Sequence, residues 1–186
     1  MPSRFLTVIF AAVLSLATTE AKAVDDANTL IIELKTGEVN IELLPDVAPK
    51  HVERIKTLAK EGAYDGVAFH RVIDGFMAQT GDVEHGKGDN LSRAGTGGSS
   101  YPDLPAEFSK LPFERGTVGM ARSQNPNSAN SQFFIMFAEG AFLNGQYTVV
   151  GRVTSGMNFV DNIKKGRGQS GSVEDPDKMI SVRVGG

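Results

Sequence analysis

The sequence contains no cysteine and no tryptophan among its 186 residues. Without cysteine, the chain cannot form disulfide bonds, use a thiol in catalysis or bind a metal through cysteine ligands. Without tryptophan, it lacks the residue best suited to an aromatic platform for sugars, which counts against a carbohydrate-active enzyme. Stability therefore has to come from an apolar core.

An excess of positive charge is also missing. The chain has 19 basic and 22 acidic residues, which gives a formal net charge of −3. Proteins that bind nucleic acid need a basic stripe or patch to neutralise phosphates. Nucleic acid is therefore not expected as a partner, and the length suits one domain with a single core.

No apolar run reaches the roughly 20 residues that cross a bilayer as a helix. Arg4 precedes an apolar run over residues 5–17, and Ala21-Lys22-Ala23 has the small-x-small pattern of a cleavage site. We expect residues 1–23 to be a signal peptide and residues 24–186 to form one exported domain that stays off the membrane after cleavage. A bacterial periplasm is the expected compartment, and full secretion or the endoplasmic lumen are the alternatives.

Short alternating patterns predict about eight strands, whereas helical spacing occurs only twice. The expected strands include 30–34, 39–43, the segment around Arg71, 117–121, 132–137, 147–153 and 179–184, and the expected helices are 48–60 and 157–164. Residues 81–112 show little periodicity and predict a long ordered loop. This pattern favours a mainly β fold, a closed eight-stranded antiparallel β-barrel capped by two α-helices.

Two further patterns were tested for cofactors. Residues 81–88 nearly match the phosphate-binding loop G-x-x-x-x-G-K-[ST], but Gly88 stands where a hydroxyl would bind magnesium. The three histidines, His51, His70 and His85, lack the spacing of zinc ligands. Neither a metal nor another cofactor is expected.

The most informative stretch is Phe69–Gln79. On a strand, Arg71 would share one face with Phe69 and Ile73, because side chains alternate with a period of two. A cation on such a face is costly unless a bound group uses it; the alternative is an ion-paired or snorkelling arginine at the rim of a sheet. The aromatic and thioether residues after Gly75 are consecutive, so both reach one pocket only if this glycine bends the chain.

This stretch resembles the signature of the cyclophilin family, Phe-His-Arg-Val-Ile followed by Gly-Phe-Met and Gln. Residues 119–122 (Gly-Met-Ala-Arg) and 130–135 (Asn-Ser-Gln-Phe-Phe-Ile) resemble the second active-site block of that family. Residues 142–153 fit the hairpin that follows. The similarity runs from about residue 30 to residue 184, and two long blocks in order are far more specific than one motif.

Cyclophilins are peptidyl-prolyl cis–trans isomerases built on an eight-stranded barrel with two helices. The resemblance implies that Arg71 is catalytic, with Gln79 beside it. It also implies an apolar pocket for the proline ring and a groove for the residues before proline, formed by Phe76, Met77, Ala121, Arg122, Ser123, Gln132, Phe134, Phe142, Leu143 and Tyr147. The implied partners are flexible or unfolded polypeptides that contain X–Pro bonds, bound by a monomer.

Such a site suits the reaction, because rotation about a peptide bond breaks amide resonance without making or breaking a covalent bond. A guanidinium aimed at the prolyl nitrogen would interact better with the twisted amide than with either planar form. The competing hypothesis is a proline-peptide binding module or chaperone on the same fold, with incidental turnover.

The chain departs from the common family pattern at four positions. Thr80 stands where glycine is usual, which puts the backbone beside Gln79 in question. Phe142 replaces the tryptophan of members that bind cyclosporin tightly, so we expect weak cyclosporin binding. Arg122 replaces a frequent asparagine and should alter substrate preference, and Tyr147 replaces a frequent histidine. Phe142 and Tyr147 are similar to the residues that the bacterial exported branch of the family has at these two positions.

Overall fold

The computed structural model describes residues 26–186. The expected signal peptide, residues 1–23, lies outside this part. No helix in the described part is long and apolar enough to cross a membrane.

Eight strands and two short α-helices make up the fold. The strands are β1 (Thr29–Leu34), β2 (Gly37–Leu43), β3 (Arg71–Ile73), β4 (Met77–Thr80), β5 (Thr117–Met120), β6 (Phe133–Met136), β7 (Val149–Ser155) and β8 (Ser181–Val184). The helices are α1 (Pro49–Lys60) and α2 (Met157–Asp161), with single turns of 3₁₀-helix at Asp26–Asn28 and Ala141–Leu143. The predicted elements are confirmed in type, and their ends differ by a few residues.

The strands form one antiparallel sheet in the order β3-β4-β6-β5-β7-β2-β1-β8. The sheet curls strongly, but the prediction of a closed barrel was too strong. Within residues 26–186, the edge at β3 meets the segment that precedes β8 through isolated bridges, Ala68 with Lys178 and Arg71 with Ser172, and not through a strand ladder.

The core fills the inside of the curled sheet. In β1, Leu30, Ile32 and Leu34 point inward and are almost completely buried, as their alternation predicts. Helix α1 covers one opening with its apolar stripe, which includes Val52 and Ile55.

The first turn of α1 is capped by a distant residue rather than by its own N-cap. Ala48 supplies no side-chain hydrogen bond there. Instead, the Glu107 carboxylate accepts the backbone N–H groups of Lys50 and His51, at 3.3 and 3.2 Å, and the His51 Nδ1 at 2.7 Å. The 81–112 loop is therefore fastened to the helix by a negative group at the positive end of the helix dipole.

Two histidines, His51 and His70, are harder to protonate in the folded protein than in the unfolded chain. Burial lowers the pKa of His51 and of His70 below the ordinary value, even though a carboxylate beside each one acts in the opposite direction. The unfolded chain therefore takes up protons on these residues at a pH where the folded chain does not.

We expect the free energy of unfolding to fall as the pH decreases below about 6.5, the ordinary histidine value. Both histidines have a lower pKa in the folded protein than in the unfolded chain. Their contribution to the free energy of unfolding is therefore fully present above this pH, and it is lost as the pH falls toward the folded pKa values. Each histidine contributes a slope of at most about 1.4 kcal/mol per pH unit. Urea unfolding followed by circular dichroism between about pH 7.5 and 5.5 measures it. The His51→Gln variant should show about half the slope, and an unchanged slope would contradict the assignment.

Candidate active site

Arg71, the first residue of β3, lies opposite Gln79 of β4 in the antiparallel register. Its Nε donates to the carbonyl oxygen of Ser170 at 3.0 Å, and its Nη1 donates to Oε1 of Gln79 at 3.2 Å. None of the ion pairs found in residues 26–186 includes Arg71. Neutral oxygens thus orient the guanidinium and leave its charge available to a bound group.

The residues around Arg71 differ from the predicted strand face. Because β3 begins at Arg71, Phe69 precedes the strand and is buried in the main core. Ile73 packs against a second, smaller cluster of buried side chains. Of the three residues predicted to share a face, only Arg71 and Ile73 lie on the strand, and both are partly buried.

A pocket of about 240 Å³ opens directly beside the guanidinium. Its floor is Phe134, whose ring stacks on Phe113 with centroids 5.7 Å apart and meets the ring of Tyr147 edge-on at 5.9 Å. The lining consists of Arg71, Phe76, Met77, Gln79, Ala121, Arg122, Phe134, Phe142, Leu143 and Tyr147. A rigid aromatic floor with one cation at the rim suits a small apolar ring next to a polar bond.

The turn before β4 brings two consecutive side chains into this pocket. Gly75 has a φ of +68°, in the left-handed region that glycine adopts without strain. Phe76 lies at the rim, where its ring centroid is 5.4 Å from that of Phe142, and Met77 is almost fully buried. The predicted bend at this glycine is confirmed.

A second, polar pocket of about 410 Å³ adjoins the first. The two pockets share Gln79, Ala121 and Arg122, and the second also contains Ser123 and Gln132. Its other wall consists of Gly95, Thr96, Gly97, Gly98, Ser99, Asp103, Ser128 and Asn130. These residues include 95–98, which belong to the predicted 81–112 loop; no site residue was predicted there, although a run of glycines is a signal for backbone that lines a site.

Arg122 separates the two pockets. Its guanidinium lies 4.4 Å from the centroid of the Tyr147 ring. Its nitrogens donate to the carbonyl oxygens of Gln146, Ser123 and Gln124, at 2.8 to 3.3 Å. The side chain is therefore fixed in place, and its charge borders both pockets.

Thr80 does not disturb the strand beside Gln79. Its side chain is fully buried, and its hydroxyl donates to the carbonyl oxygen of Ala68 at 2.9 Å. The pairing of β4 with β6 continues regularly through this position. A β-branched residue fits here because the backbone is ordinary extended strand.

All twelve side chains singled out in the sequence surround these two adjoining pockets. Their catalytic and binding roles stay predictions, since a location alone assigns no role. Within residues 26–186, no group of three or more histidine, aspartate or glutamate side chains could hold a metal ion.

Comparison with known families decides the identity. Residues 29–184 match the family model described as cyclophilin type peptidyl-prolyl cis-trans isomerase. The chain belongs to the cyclophilin family. It is accordingly a peptidyl-prolyl cis–trans isomerase, as the resemblance of its two sequence blocks predicts.

Other cyclophilins agree with this assignment. A protein of Brucella suis biovar 1 (strain 1330), named "Probable peptidyl-prolyl cis-trans isomerase", is 68% identical over 168 residues, which cover 88% of this chain and 86% of that protein. Peptidyl-prolyl cis-trans isomerase B of Bacillus subtilis (strain 168) is 39% identical over 151 residues, covering 81% and 92% of the two chains.

Solved cyclophilin structures share the fold. AquaCyp293 from Hirschia baltica gives a TM-score of 0.74 at 27% identity, covering 87% of this chain and 75% of that one. A cyclophilin from Cryptosporidium parvum, crystallised in the presence of the dipeptide Ala-Pro, gives a TM-score of 0.73 at 27% identity and covers 85% and 99%.

Proposed function

We propose that this cyclophilin accelerates rotation about X–Pro bonds in exported proteins while they fold, and that Arg71 stabilises the twisted amide. The observation that carries the mechanism is the placement of Arg71 at the rim of the apolar pocket. Its guanidinium is oriented by Ser170 and Gln79, and it forms no ion pair among the described residues.

The chemistry follows from that placement. As the amide twists, the lone pair localises on the prolyl nitrogen, and a nearby fixed cation interacts with it more strongly than with a planar amide. The uncatalysed barrier is roughly 18–20 kcal/mol. The pocket floor formed by Phe134 would hold the proline ring while the preceding carbonyl group turns. No proton transfer is required, which fits a residue that stays charged.

The substrate proposal has two parts. The apolar pocket takes the proline ring, and the polar pocket beyond Arg122 takes side chains of residues before proline. Flexible or unfolded polypeptides can enter both, because the two pockets are open and adjoining. The presence of Ala-Pro in the Cryptosporidium parvum crystals supports a proline ligand for this site. We propose that the protein acts as a monomer.

The bacterial periplasm is the compartment that we propose, on the basis of the N-terminal sequence alone. Expression of the full chain with a C-terminal tag in a Gram-negative host tests it. We expect osmotic shock to release a protein whose intact mass equals that of a tagged chain starting at Val24. An uncleaved chain confined to the cytosol would refute export, whereas cleavage with release into the medium would favour secretion.

The biological role is tested with an exported client whose refolding is limited by an X–Pro bond. Residues 24–186 should accelerate its slow refolding phase at substoichiometric concentration, and a short X–Pro peptide should isomerise faster in parallel. A protein that binds the client but slows its refolding, without accelerating the peptide, would support the binding-module alternative instead.

Cyclosporin affinity should rise in the Phe142→Trp variant. Phe142 lies at the pocket rim with 66% of its surface exposed, so a larger ring fits without repacking. The indole N–H restores a donor that phenylalanine lacks, worth about 1 kcal/mol, or roughly a fivefold change in affinity. Titration of both proteins with cyclosporin measures this change. Equal affinity in the two proteins would mean that position 142 is not the cause of weak binding.

A further inference from the structure

Asp82 is a fully buried carboxylate that lines neither pocket. It follows β4 and accepts four backbone hydrogen bonds. Oδ1 accepts the N–H groups of Glu84 and His85, at 3.1 and 2.8 Å. Oδ2 accepts those of Gly95 and Gly97, at 2.7 and 2.9 Å. The Asp82 side chain thus connects both ends of the 84–97 segment. The N–H groups of Glu84 and His85 belong to the sequence that nearly matches a phosphate-binding loop, and they bind this carboxylate.

The pKa of Asp82 and the close approach of the loop backbone both indicate a firm attachment of the loop to this carboxylate. Burial acts to raise the pKa of the Asp82 carboxyl, but the four N–H donors outweigh it and bring the pKa below its ordinary value. The loop backbone also lies against the carboxylate, because a Cβ added at Gly97 would lie 2.6 Å from Oδ1 of Asp82. The Asp82 carboxylate therefore helps to fix the backbone of the loop at Gly95 and Gly97.

The same two glycines contact the active site through their carbonyl groups. Nε2 of Gln132 donates to the carbonyl oxygens of Gly95 and Gly97, at 3.1 and 2.8 Å. Oε1 of Gln132 accepts Nε2 of Gln79 at 3.0 Å, and Oε1 of Gln79 accepts Nη1 of Arg71 at 3.2 Å. An unbroken series of hydrogen bonds runs from the loop to the guanidinium.

The direction of each bond in this series depends on the one before it. The two loop carbonyls require the NH₂ group of Gln132, so its oxygen must face Gln79. Gln79 then has to present its NH₂ group to Gln132 and its oxygen to Arg71. If the carbonyls moved away, both amides could rotate, and Arg71 would lose its acceptor.

We propose that Asp82 is a positioning residue for catalysis: it holds the Gly95 and Gly97 carbonyls, which orient the Gln132 and Gln79 amides and, through them, Arg71. The inference rests on the proposed role of Arg71. Asp82 itself touches no substrate in this scheme and acts through the geometry of the guanidinium. Small displacements of a catalytic group can cost up to about a hundredfold in rate.

The test is the Asp82→Asn variant, which keeps one acceptor oxygen instead of two and therefore cannot accept the N–H groups of both ends of the 84–97 segment at once. We expect kcat for an X–Pro peptide to fall roughly tenfold at nearly unchanged KM. The NMR signal of the Arg71 Nη1–H group, which donates to Gln79, should shift in the same protein. A kcat within about twofold of the wild type would overturn the proposal.

A double-mutant cycle separates positioning from general damage. In a Gln132→Ala background the series is already cut, so Asp82→Asn should lower kcat by less than about twofold further. If the reduction has the same factor in both backgrounds, Asp82 does not act through Gln132 and the proposal is wrong. Asp65→Asn is the matched control, because Asp65 also accepts a backbone N–H, that of Val182 at 2.8 Å, but has no connection to Arg71.

A second variant covers the case in which Asp82→Asn does not fold. Gln132→Glu keeps the Asp82 attachment intact but removes the donor to the loop carbonyls, so it should also lower kcat and shift the Arg71 signal. No loss and no shift would overturn the proposal independently. Arg71→Ala, measured in the same assay, separates a failure of the Asp82 proposal from a failure of the proposed role of Arg71. An Arg71→Ala protein that stays active would refute the mechanism itself rather than the role of Asp82.

Discussion

Replacement of Arg71 by alanine will slow the catalysed cis-to-trans isomerisation of a short X–Pro peptide by roughly tenfold or more, equivalent to at least about 1.4 kcal/mol of transition-state stabilisation. The loss should fall mainly on kcat, since the apolar pocket that we propose holds the proline ring remains. Arg71 is only partly buried and forms no ion pair in residues 26–186, so the fold should survive its removal.

The matched control is Arg71→Lys, which keeps the charge but loses the fork that contacts Ser170 and Gln79. Its rate should lie between those of the wild type and the alanine variant. Because the chain has no tryptophan, folding of each variant is checked by circular dichroism. A folded alanine variant with the wild-type rate would falsify the electrostatic role, and a wild-type protein without any acceleration would leave only a proline-peptide binder.

Phe134→Ala should both destabilise the protein and weaken substrate binding. Its ring is 95% buried, and it joins Phe113 and Tyr147 beneath the pocket. Truncating a buried phenylalanine costs about 3–5 kcal/mol of unfolding free energy. Loss of the floor under the proline ring should also raise KM roughly tenfold, if about 1.4 kcal/mol of apolar contact is lost.

Phe133→Ala is the control for this experiment, because the two residues are neighbours on β6 that face opposite sides. Phe133 is fully buried in the main core, where it meets the ring of Tyr64 edge-on at 5.6 Å. Its truncation should cost a similar free energy of unfolding, measured by urea denaturation, and leave KM unchanged once the folded fraction is taken into account. Equal KM values for the two variants would mean that Phe134 does not hold the proline ring.

Local patterns in the sequence predicted most of the fold. The alternation of Leu30, Ile32 and Leu34 and the stripe on α1 determine which side chains are buried, and both are visible without a structure. The bend at Gly75 was also predictable, because two consecutive pocket residues need a break in the strand. The site residues came from the family resemblance, since spacing alone does not bring Arg71 and Phe134 together.

Features that depend on contacts between distant segments were not predictable. The prediction of a closed barrel was slightly overstated, because single bridges rather than a strand ladder connect the chain around β3 with the segment before β8. One wall of the polar pocket was missed because residues 95–98 line it mainly with backbone, which carries little side-chain signal. Asp82 looked like an ordinary loop residue, and only the structure shows that its partners at 95 and 97 lead back to the site.

The pairing of the first strand with the last one has a consequence for how the protein matures. Leu30 of β1 lies opposite Val184 of β8, so the sheet cannot be completed until nearly the entire chain is available. Contacts this distant in sequence form late and slowly. In the export that we propose, a chain that enters a translocation channel with its N-terminus first would therefore stay incompletely folded during transit, and its last strand would complete the sheet on the far side of the membrane.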